Sequence, residues 1–232
     1  MLKIITKTFL ALTFQLIFIA NSHASKISVS TMIIEFDGKK KYMDIPVSNI
    51  NQDGAKAYVT NTLFEIKNPG TPQEERMEIK KGSKQSLIAS PQKMIIPYRG
   101  KKSIRLVSLH GNIEKDKIYR LSIKPVTGKI DSDDALVRVL IAFDSLIIIR
   151  PKDPKPTYTV RREGKKLTVT NTGNTNFLIT EGKQCPPNDP EKCQTLVGAR
   201  IYAGNNKTYE IPTDDKVELT FNILGRIEKK NY

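Results

Sequence analysis

The sequence predicts an all-β protein, either a sandwich or a barrel, divided into two domains. Short runs rich in Val, Ile, Thr, Tyr and Phe alternate with Gly, Pro, Asn and Asp along most of the chain, a spacing typical of strands joined by turns. Regular helix signals are scarce. A proline-rich segment at residues 151–156 separates two series of such runs, and neither a helix nor a central strand can run through it.

The first 24 residues have the layout of a secretory signal peptide. Lys3 and Lys7 give a positive start, a mostly apolar stretch covers residues 9–20, and Ser22-His23-Ala24 forms a small-x-small cleavage pattern. The alternative is an N-terminal membrane anchor, but the apolar stretch is shorter than the roughly 20 residues that a spanning helix needs. We therefore expect an exported protein that begins at Ser25 after cleavage.

The chain is strongly basic, with a formal net charge of +14 that falls to +12 without the two lysines of the leader. Such a charge suits nucleic acid, an anionic membrane surface or an acidic partner. The basic residues are scattered, however, and the longest run is the three lysines at 39–41, beside a turn. Export argues against nucleic acid, and no later segment is long enough for membrane insertion. We expect neither partner.

The two cysteines, Cys185 and Cys193, lie in the segment CPPNDPEKC. An even number of cysteines in an exported protein predicts a disulfide. The spacing is not that of a CxxC redox motif, and His110 is the only histidine after the leader, so a zinc site lacks further ligands. We expect a structural disulfide, no metal and no other cofactor.

The first domain, residues 25–150, begins with a predicted hairpin, because Asp37-Gly38 stands between two strand-like runs. Gly100 ends a second turn. Residues 151–156 form a semi-rigid linker, and the second domain covers residues 157–232. The predicted strands of the two domains are residues 26–36, 42–49, 57–66, 95–96, 102–108, 118–126 and 136–149, then 158–162, 167–171, 177–180, 198–203, 208–211 and 216–224.

Residues 136–149 form the most informative segment, because they are long and almost wholly apolar. Alternation places Val137, Val139, Ile141 and Phe143 on one face, and the other face is also apolar except for Arg138. One interpretation is a central strand that is covered on both sides. The other is an exposed edge strand, which proteins avoid unless a partner's sheet uses it. The pattern alone does not separate the two.

An enzyme is not expected. The sequence has one histidine after the leader, no reactive cysteine and no glycine-rich phosphate loop. Ser108 lies two residues before His110, but no acidic residue is evident that would orient the pair. The paired carboxylates at 133–134 and 214–215 lie at predicted turns.

The motifs of the chain resemble those of the periplasmic pilus chaperones, the PapD-like family, and more closely its divergent alternate branch. Each motif is weak alone, but their order and spacing behind a signal peptide are specific. The resemblance covers nearly all of the chain after the leader and rests on IEFDG at 34–38, SPQKMIIP at 90–97, GKKSIRL at 100–106, IYRLSIKP at 118–125, RP at 150–151 and LTVTNTGN at 167–174.

The resemblance implies a fold and a function. It implies two immunoglobulin-like β-sandwich domains in an L-shape, in which the last strand of the first domain completes the fold of a pilin subunit. This donor-strand complementation takes place in the periplasm, and the subunit then passes to an outer-membrane usher. The residues lent to the subunit would be Val137, Val139, Ile141 and Phe143.

The chain departs from the family at the site that anchors the subunit's C-terminal carboxylate. The best-known members use an arginine in the first strand and a lysine near the end of the lending strand, where this chain has Ile33 and Leu146. Arg105, Arg120 and Arg150 are the candidates to replace them, because a guanidinium can hold a carboxylate through two hydrogen bonds. For each of them, an ordinary structural ion pair is the alternative.

A different function also fits an exported all-β chain, that of an immunoglobulin-like pilus subunit or adhesin. A subunit should carry a disordered N-terminal extension with alternating apolar residues, and Ile27, Val29 and Thr31 show some alternation. That segment leads directly into the Asp37-Gly38 turn, so it is predicted to be an integrated strand. An apolar lending strand would also favour self-association of the free protein.

Overall fold

The computed structural model describes residues 26–80, 86–126, 140–186 and 191–232. These residues contain strands and turns but no helix, which confirms the all-β prediction. Among them, no helix is long and apolar enough to cross a bilayer. The predicted leader and two of the predicted lending residues, Val137 and Val139, lie outside the described residues.

The N-terminal sandwich contains ten strands within the described ranges up to residue 149. The first of its two sheets, sheet I, has the order β1-β3-β8-β6, and sheet II has the order β2-β10-β9-β4-β5, with β7 paired to the other end of β4. The strand bounds are β1 Ile27–Val29, β2 Ile33–Phe36, β3 Tyr42–Asn49, β4 Ala57–Lys67, β5 Glu75–Glu78, β6 Leu87–Ser90, β7 Lys93–Ile96, β8 Lys101–Ser108, β9 Lys117–Val126 and β10 Phe143–Ile149.

The core of this sandwich follows from period-two alternation. In β8, Ile104 and Leu106 are buried between the sheets while Ser103 and Arg105 face solvent. The same alternation in the other strands fills the space between the sheets with aliphatic side chains and with Phe36 and Tyr119. Burying such side chains, at roughly 25 cal/mol per Å² of apolar surface, stabilises the sandwich.

The predicted first strand, residues 26–36, is in fact two strands that belong to different sheets. Strand β1 pairs antiparallel with β3 in sheet I. After a break at residues 30–32, β2 pairs parallel with β10 in sheet II. The two halves therefore connect the sheets along one side of the sandwich, and the segment is an integrated part of the fold, as predicted. The predicted hairpin at Asp37-Gly38 is wrong, because this turn joins β2 of sheet II to β3 of sheet I and the two strands do not pair.

Four strands are absent from the sequence-based prediction, and one of them, β14 at Gln194–Leu196, has only three residues. Strand β5 is exposed at all four positions and therefore has no apolar alternation to reveal it. Strand β6 has only four residues, and the last strand of the chain, β18 at Arg226–Asn231, is almost wholly polar. These strands exist because their backbones pair with neighbouring strands, and such pairing leaves no signal in the composition.

The C-terminal sandwich begins after the proline-rich segment and contains eight strands within the described residues. Its sheets have the orders β11-β12-β16 and β14-β13-β17-β18, with β15 also paired to β13. Phe177 and Phe221 lie in its core, and Tyr158 stacks on Phe221 with ring centroids 4.8 Å apart. The strand bounds are β11 Tyr158–Glu163, β12 Lys166–Asn171, β13 Phe177–Gln184, β14 Gln194–Leu196, β15 Ala199–Ile201, β16 Asn206–Glu210, β17 Val217–Ile223 and β18 Arg226–Asn231.

The predicted disulfide between Cys185 and Cys193 is confirmed, with the two Cα atoms 4.1 Å apart. The cysteines directly follow β13 and precede β14, which pair antiparallel up to Gln184 and Gln194. The bond therefore closes the end of a hairpin. It lies in the C-terminal sandwich, whereas sheet II of the N-terminal sandwich carries the site described below.

Removing this disulfide should lower stability without changing the N-terminal sandwich. A loop of this length, with a sequence separation of 8, predicts a loss of about 2–3 kcal/mol when the cross-link is removed. Urea unfolding of a Cys185→Ala/Cys193→Ala variant measures it. A variant as stable as the unreduced wild type would show that the bond does not constrain the chain.

Candidate functional site

Strand β10 is a central strand of sheet II. Over Phe143–Ile149 it pairs antiparallel with β9, and over Leu146–Ile149 it also pairs in parallel with β2. Its last five residues are buried. Inward-facing Ile147 and Ile149 join the main core, while outward-facing Leu146 and Ile148 lie in a second apolar cluster. The edge-strand interpretation is therefore wrong for Leu146–Ile149, which have paired strands on both sides.

The chain leaves the sheet directly before Phe143. Residues 140–142 belong to no strand, and Ile141 exposes 67% of its surface, with Leu140 also exposed. Phe143 is half-buried and packs against the main core. We call residues 136–142 the lending segment; within its described part, Ile141 is the one predicted lending residue, and it is free of the core.

The two positions at which the family would carry its anchor are direct neighbours in the sheet. Ile33 of β2 is the register partner of Leu146 of β10, and Leu146 in turn pairs with Arg120 of β9. Phe64 of β4 continues the same outward-facing row. The row thus reads Ile33, Leu146, Arg120, Phe64, so a cation stands next to the two aliphatic positions.

Arg120 and Arg76 converge on one carboxylate, that of Asp144. Two nitrogens of Arg76 reach the two oxygens of Asp144, at 2.7 and 3.3 Å. Nε of Arg120 lies 3.8 Å from Oδ2 of Asp144, and Nη1 donates to its backbone carbonyl at 3.4 Å. The Arg76 guanidinium also lies 4.0 Å from the centroid of the Phe64 ring. We call Arg76, Arg120 and Asp144 the arginine–aspartate cluster.

Arg150, the third candidate, is buried where the two sandwiches meet. Its side chain is 7% exposed, and Nη2 lies 3.0 Å from a carboxylate oxygen of Glu35. Its Nη1 donates to the Thr175 hydroxyl and to the Asn176 carbonyl of the C-terminal sandwich. These contacts identify Arg150 as a residue that joins the sandwiches.

Asp116 completes this interface from the loop before β9. Its carboxylate is 3% exposed and accepts hydrogen bonds from the backbone N–H of Asn176 at 2.7 Å and from the Thr175 hydroxyl at 3.2 Å. Burial raises the pKa of Asp116, and the hydrogen bonds from Asn176 and the charge of Arg150 oppose that rise. Arg200 donates to the amide oxygen of Asn176 and extends the network.

An apolar contact accompanies these polar ones. Tyr202 of the C-terminal sandwich packs against the cluster of Ile66, Ile118, Leu146 and Ile148 on the outer face of sheet II. Nδ2 of Asn205 donates to the Pro69 carbonyl at 2.7 Å. A cleft of about 360 Å³ lies beside these contacts. Both faces of β10 are therefore covered from Leu146 to Ile149, one by its own core and one by the second sandwich.

Arg105, the remaining candidate, lies on the other sheet. Its guanidinium holds Asp44 through two hydrogen bonds of 2.8 and 2.7 Å, between directly paired residues of β8 and β3 in sheet I. The hydrogen bond from Arg105 lowers the pKa of Asp44. Arg105 is thus a surface ion-pair partner and is not close to Leu146 in the sheet order.

His110 has a structural partner. Its Nε2 lies 2.7 Å from the Tyr119 hydroxyl, and burial lowers the pKa of His110. Among the described residues, Ser108 and His110 form no side-chain hydrogen bond with each other, and no group of three acidic, histidine or cysteine side chains is placed to hold a metal ion.

Sequence reasoning missed Asp116, Asn176, Arg76 and Asp144. Asp116 and Asn176 are 60 residues apart, and Arg76 and Asp144 are 68 apart. Charged and amide residues in loops or on an edge strand look like ordinary surface positions in a single sequence. The one available signal was Asp144, an acidic residue inside an otherwise largely apolar segment.

Two fimbrial proteins of Escherichia coli are similar to this chain in sequence. The B subunit of CS1 fimbriae of Escherichia coli is 27% identical over 204 residues, covering 78% of this chain and 85% of that protein. The A subunit of CFA/I fimbriae of Escherichia coli is 26% identical over 168 residues, covering 63% of this chain and 69% of that protein. No family model matches the chain.

Solved structures show the fold. The class 5 fimbriae chaperone CfaA matches with a TM-score of 0.66 and 21% identity, over 89% of this chain and 98% of that one. The periplasmic chaperone SfaE matches with a TM-score of 0.62 and 11% identity, over 89% and 98%. The CsuC–CsuE chaperone–tip subunit complex of Acinetobacter baumannii matches with a TM-score of 0.57 and 15% identity, over 90% and 97%. The chain has the fold of the pilus chaperones, with two immunoglobulin-like sandwiches.

The interface predicts unequal effects of two substitutions. Arg150→Met should destabilise the protein by about 3 kcal/mol or more, because it leaves Asp116 buried without its cation. Asp116→Asn should cost about 1 kcal/mol, since it removes the buried charge and keeps an oxygen that can accept from Asn176. Urea unfolding of both variants tests this. An Arg150→Met loss no larger than that of Asp116→Asn would contradict the assignment.

The raised pKa of Asp116 also predicts a pH dependence. A carboxyl whose pKa is raised on folding contributes stability that is complete below its unfolded pKa, near 3.8, and is lost as pH rises through the folded value. Asp116→Asn should therefore gain stability relative to wild type as pH rises from about 3.8. A constant difference between the two proteins from about pH 3.5 to 7 would show that the pKa is not raised.

Proposed function

We propose that this chain is a periplasmic chaperone that binds pilus subunits by donating a strand to them. The observation that carries the proposal is the structure around Phe143. A strand anchored in the centre of sheet II continues backwards into residues that belong to no strand and expose Ile141. The fold shared with solved pilus chaperones supports the same function.

The physical basis is the repair of an incomplete sheet. A sandwich that lacks one strand exposes apolar surface and unpaired backbone groups; covering that surface yields roughly 25 cal/mol per Å², and each unpaired buried group costs about 1–3 kcal/mol. A donated strand corrects both. In this proposal Val137, Val139 and Ile141 enter the subunit, and Phe143 lies where the segment passes into the protein's own core.

Of the three arginine candidates, Arg120 is best placed to hold the subunit's C-terminal carboxylate. It is the direct register partner of Leu146 and faces outward beside the row that contains Ile33. Arg105 is already held by Asp44 on sheet I, and Arg150 is buried between the sandwiches. Neither of those two lies on the outward-facing row of sheet II that contains Ile33 and Leu146, whereas Arg120 does.

A pilus subunit or adhesin is the second candidate function, since the curated relatives are named as subunits of fimbriae. Against it, β1 and β2 are paired within both sheets of the N-terminal sandwich, so residues 27–36 are not a free extension. Purification alone separates the two. A chaperone should stay a soluble monomer or a small self-associated species, whereas a subunit should polymerise or aggregate.

The later steps of the proposed pathway rest on the resemblance to pilus chaperones. In this proposal the bound subunit passes to an outer-membrane usher, and the free chaperone covers its exposed apolar residues by self-association. SfaE, which shares the fold, is a periplasmic chaperone. The leader at residues 1–24 would supply the export that the same compartment requires.

Ile141→Asp tests strand donation. The charge should abolish recovery of a co-expressed pilin, because a carboxylate in the subunit's apolar groove would be desolvated. The chaperone itself should stay folded, since Ile141 is 67% exposed. Co-purification with a tagged chaperone measures the loss, and circular dichroism checks the fold.

Ile227→Asp provides a matched control. Ile227 is 60% exposed but lies on β18 of the C-terminal sandwich. This variant should recover the pilin as well as wild type does. Equal recovery with Ile141→Asp and wild type would rule out residues around Ile141 as the donated strand.

A further inference from the structure

The arginine–aspartate cluster contains two cations and one anion. Among the described residues, Arg76 and Arg120 have no ion-pair partner other than Asp144. The cluster therefore keeps one uncompensated positive charge when Asp144 is bound. Guanidinium groups that already hold one carboxylate have the geometry to hold another of the same kind.

The cluster is also accessible. The side chains of Arg76 and Asp144 are each 41% exposed, and that of Arg120 is 35% exposed. Ion pairs at such exposure contribute little to stability, so an incoming carboxylate can displace Asp144 without unfolding any element. Asp144, once released, can turn into solvent.

Position links the cluster to the lending segment. Asp144 is the second residue of β10 and directly follows Phe143, where the strand leaves the sheet. A partner chain that pairs with residues 136–142 has to pass this point. The Phe64 ring beneath Arg76 restricts the guanidinium to the same side of the sheet, so the site is formed before a ligand arrives.

We propose that Asp144 is an internal competitor, which occupies the two-arginine site of Arg76 and Arg120 in the free protein and is displaced by a carboxylate of the bound partner. That the carboxylate belongs to a pilin rests on the proposed function. The existence of the two-arginine site does not depend on that function. Its effect is selectivity: a free anion must compete with Asp144, whereas a carboxylate carried by a paired strand is held at high local concentration.

Acetate is the probe, because it carries the carboxylate and nothing else. In ¹⁵N-labelled protein, the Nε–H signals of Arg76 and Arg120 are followed while acetate replaces chloride at constant ionic strength. Asp144→Asn keeps the side-chain shape and removes the competing charge. It should bind acetate about two- to five-fold more tightly than wild type at both arginines, the factor expected from losing an exposed ion pair.

Asp44→Asn is the matched control, because it releases Arg105 from a comparably exposed two-point ion pair on sheet I. Acetate should bind several-fold more weakly at the released Arg105 than at the two-arginine site of Asp144→Asn. Adding Arg120→Gln to Asp144→Asn should remove the gain at Arg76. These two results would show that the paired arginines, rather than any freed guanidinium, make the site.

An acetate affinity in Asp144→Asn that equals or falls below the wild-type value would overturn the proposal, since Asp144 would then support the site instead of competing for it. An equal affinity at Arg105 in Asp44→Asn would overturn it as well. Neither result depends on strand donation. Failure of the Ile141→Asp test would remove the pilin as the source of the carboxylate and leave the acetate result unchanged.

Discussion

Strand β10 must have hydrogen-bond partners on both sides, and much of the molecule is arranged around that requirement. On one side β9 pairs with it over its whole length. On the other side the first segment of the chain leaves sheet I and supplies β2 as a parallel partner. Because Ile147 faces the core and Ile148 faces the second sandwich, the strand is fixed in position as well as in register. The residues directly before Phe143 therefore start from a fixed point in the sheet.

The end of the same strand sets the relation between the sandwiches. Arg150 follows β10 directly, and its backbone N–H donates to the carbonyl of Phe36. Its guanidinium then reaches Thr175 and Asn176. A buried cation of this kind is tolerated only with charged and hydrogen-bonding partners, which Glu35 and Asp116 provide. One strand thus connects the exposed Ile141, the first core and the contact with the second sandwich, so a displacement of any one of them is resisted by the other two.

The sequence carried the local features of the fold and not its long-range pairings. Alternation in β8 was sufficient to place that strand, and the turn at Asp37-Gly38 marked a strand end but did not form the expected hairpin. The doubly apolar pattern of residues 136–149 was compatible with a central and with an edge strand, and the structure assigns its second half to the centre. Alternation within single strands could not predict that Tyr202 packs against the cluster containing Ile148 or that Asp116 accepts from Asn176. Both contacts depend on how the two sandwiches meet, and the two sandwiches come from different parts of the chain.

Charged residues lie beside Phe143, where the covered part of β10 gives way to the exposed segment before it. An apolar segment that leaves a sheet is an aggregation hazard unless charged residues interrupt it. Asp144 stands at the point where the covered part of β10 ends, and it faces outward with Leu146. A fully buried ion pair there would cost more in desolvation than its attraction returns. A half-exposed one keeps the edge polar while remaining weak enough to open. The position that protects the free protein from unselective pairing is therefore also the position at which a bound carboxylate can be recognised.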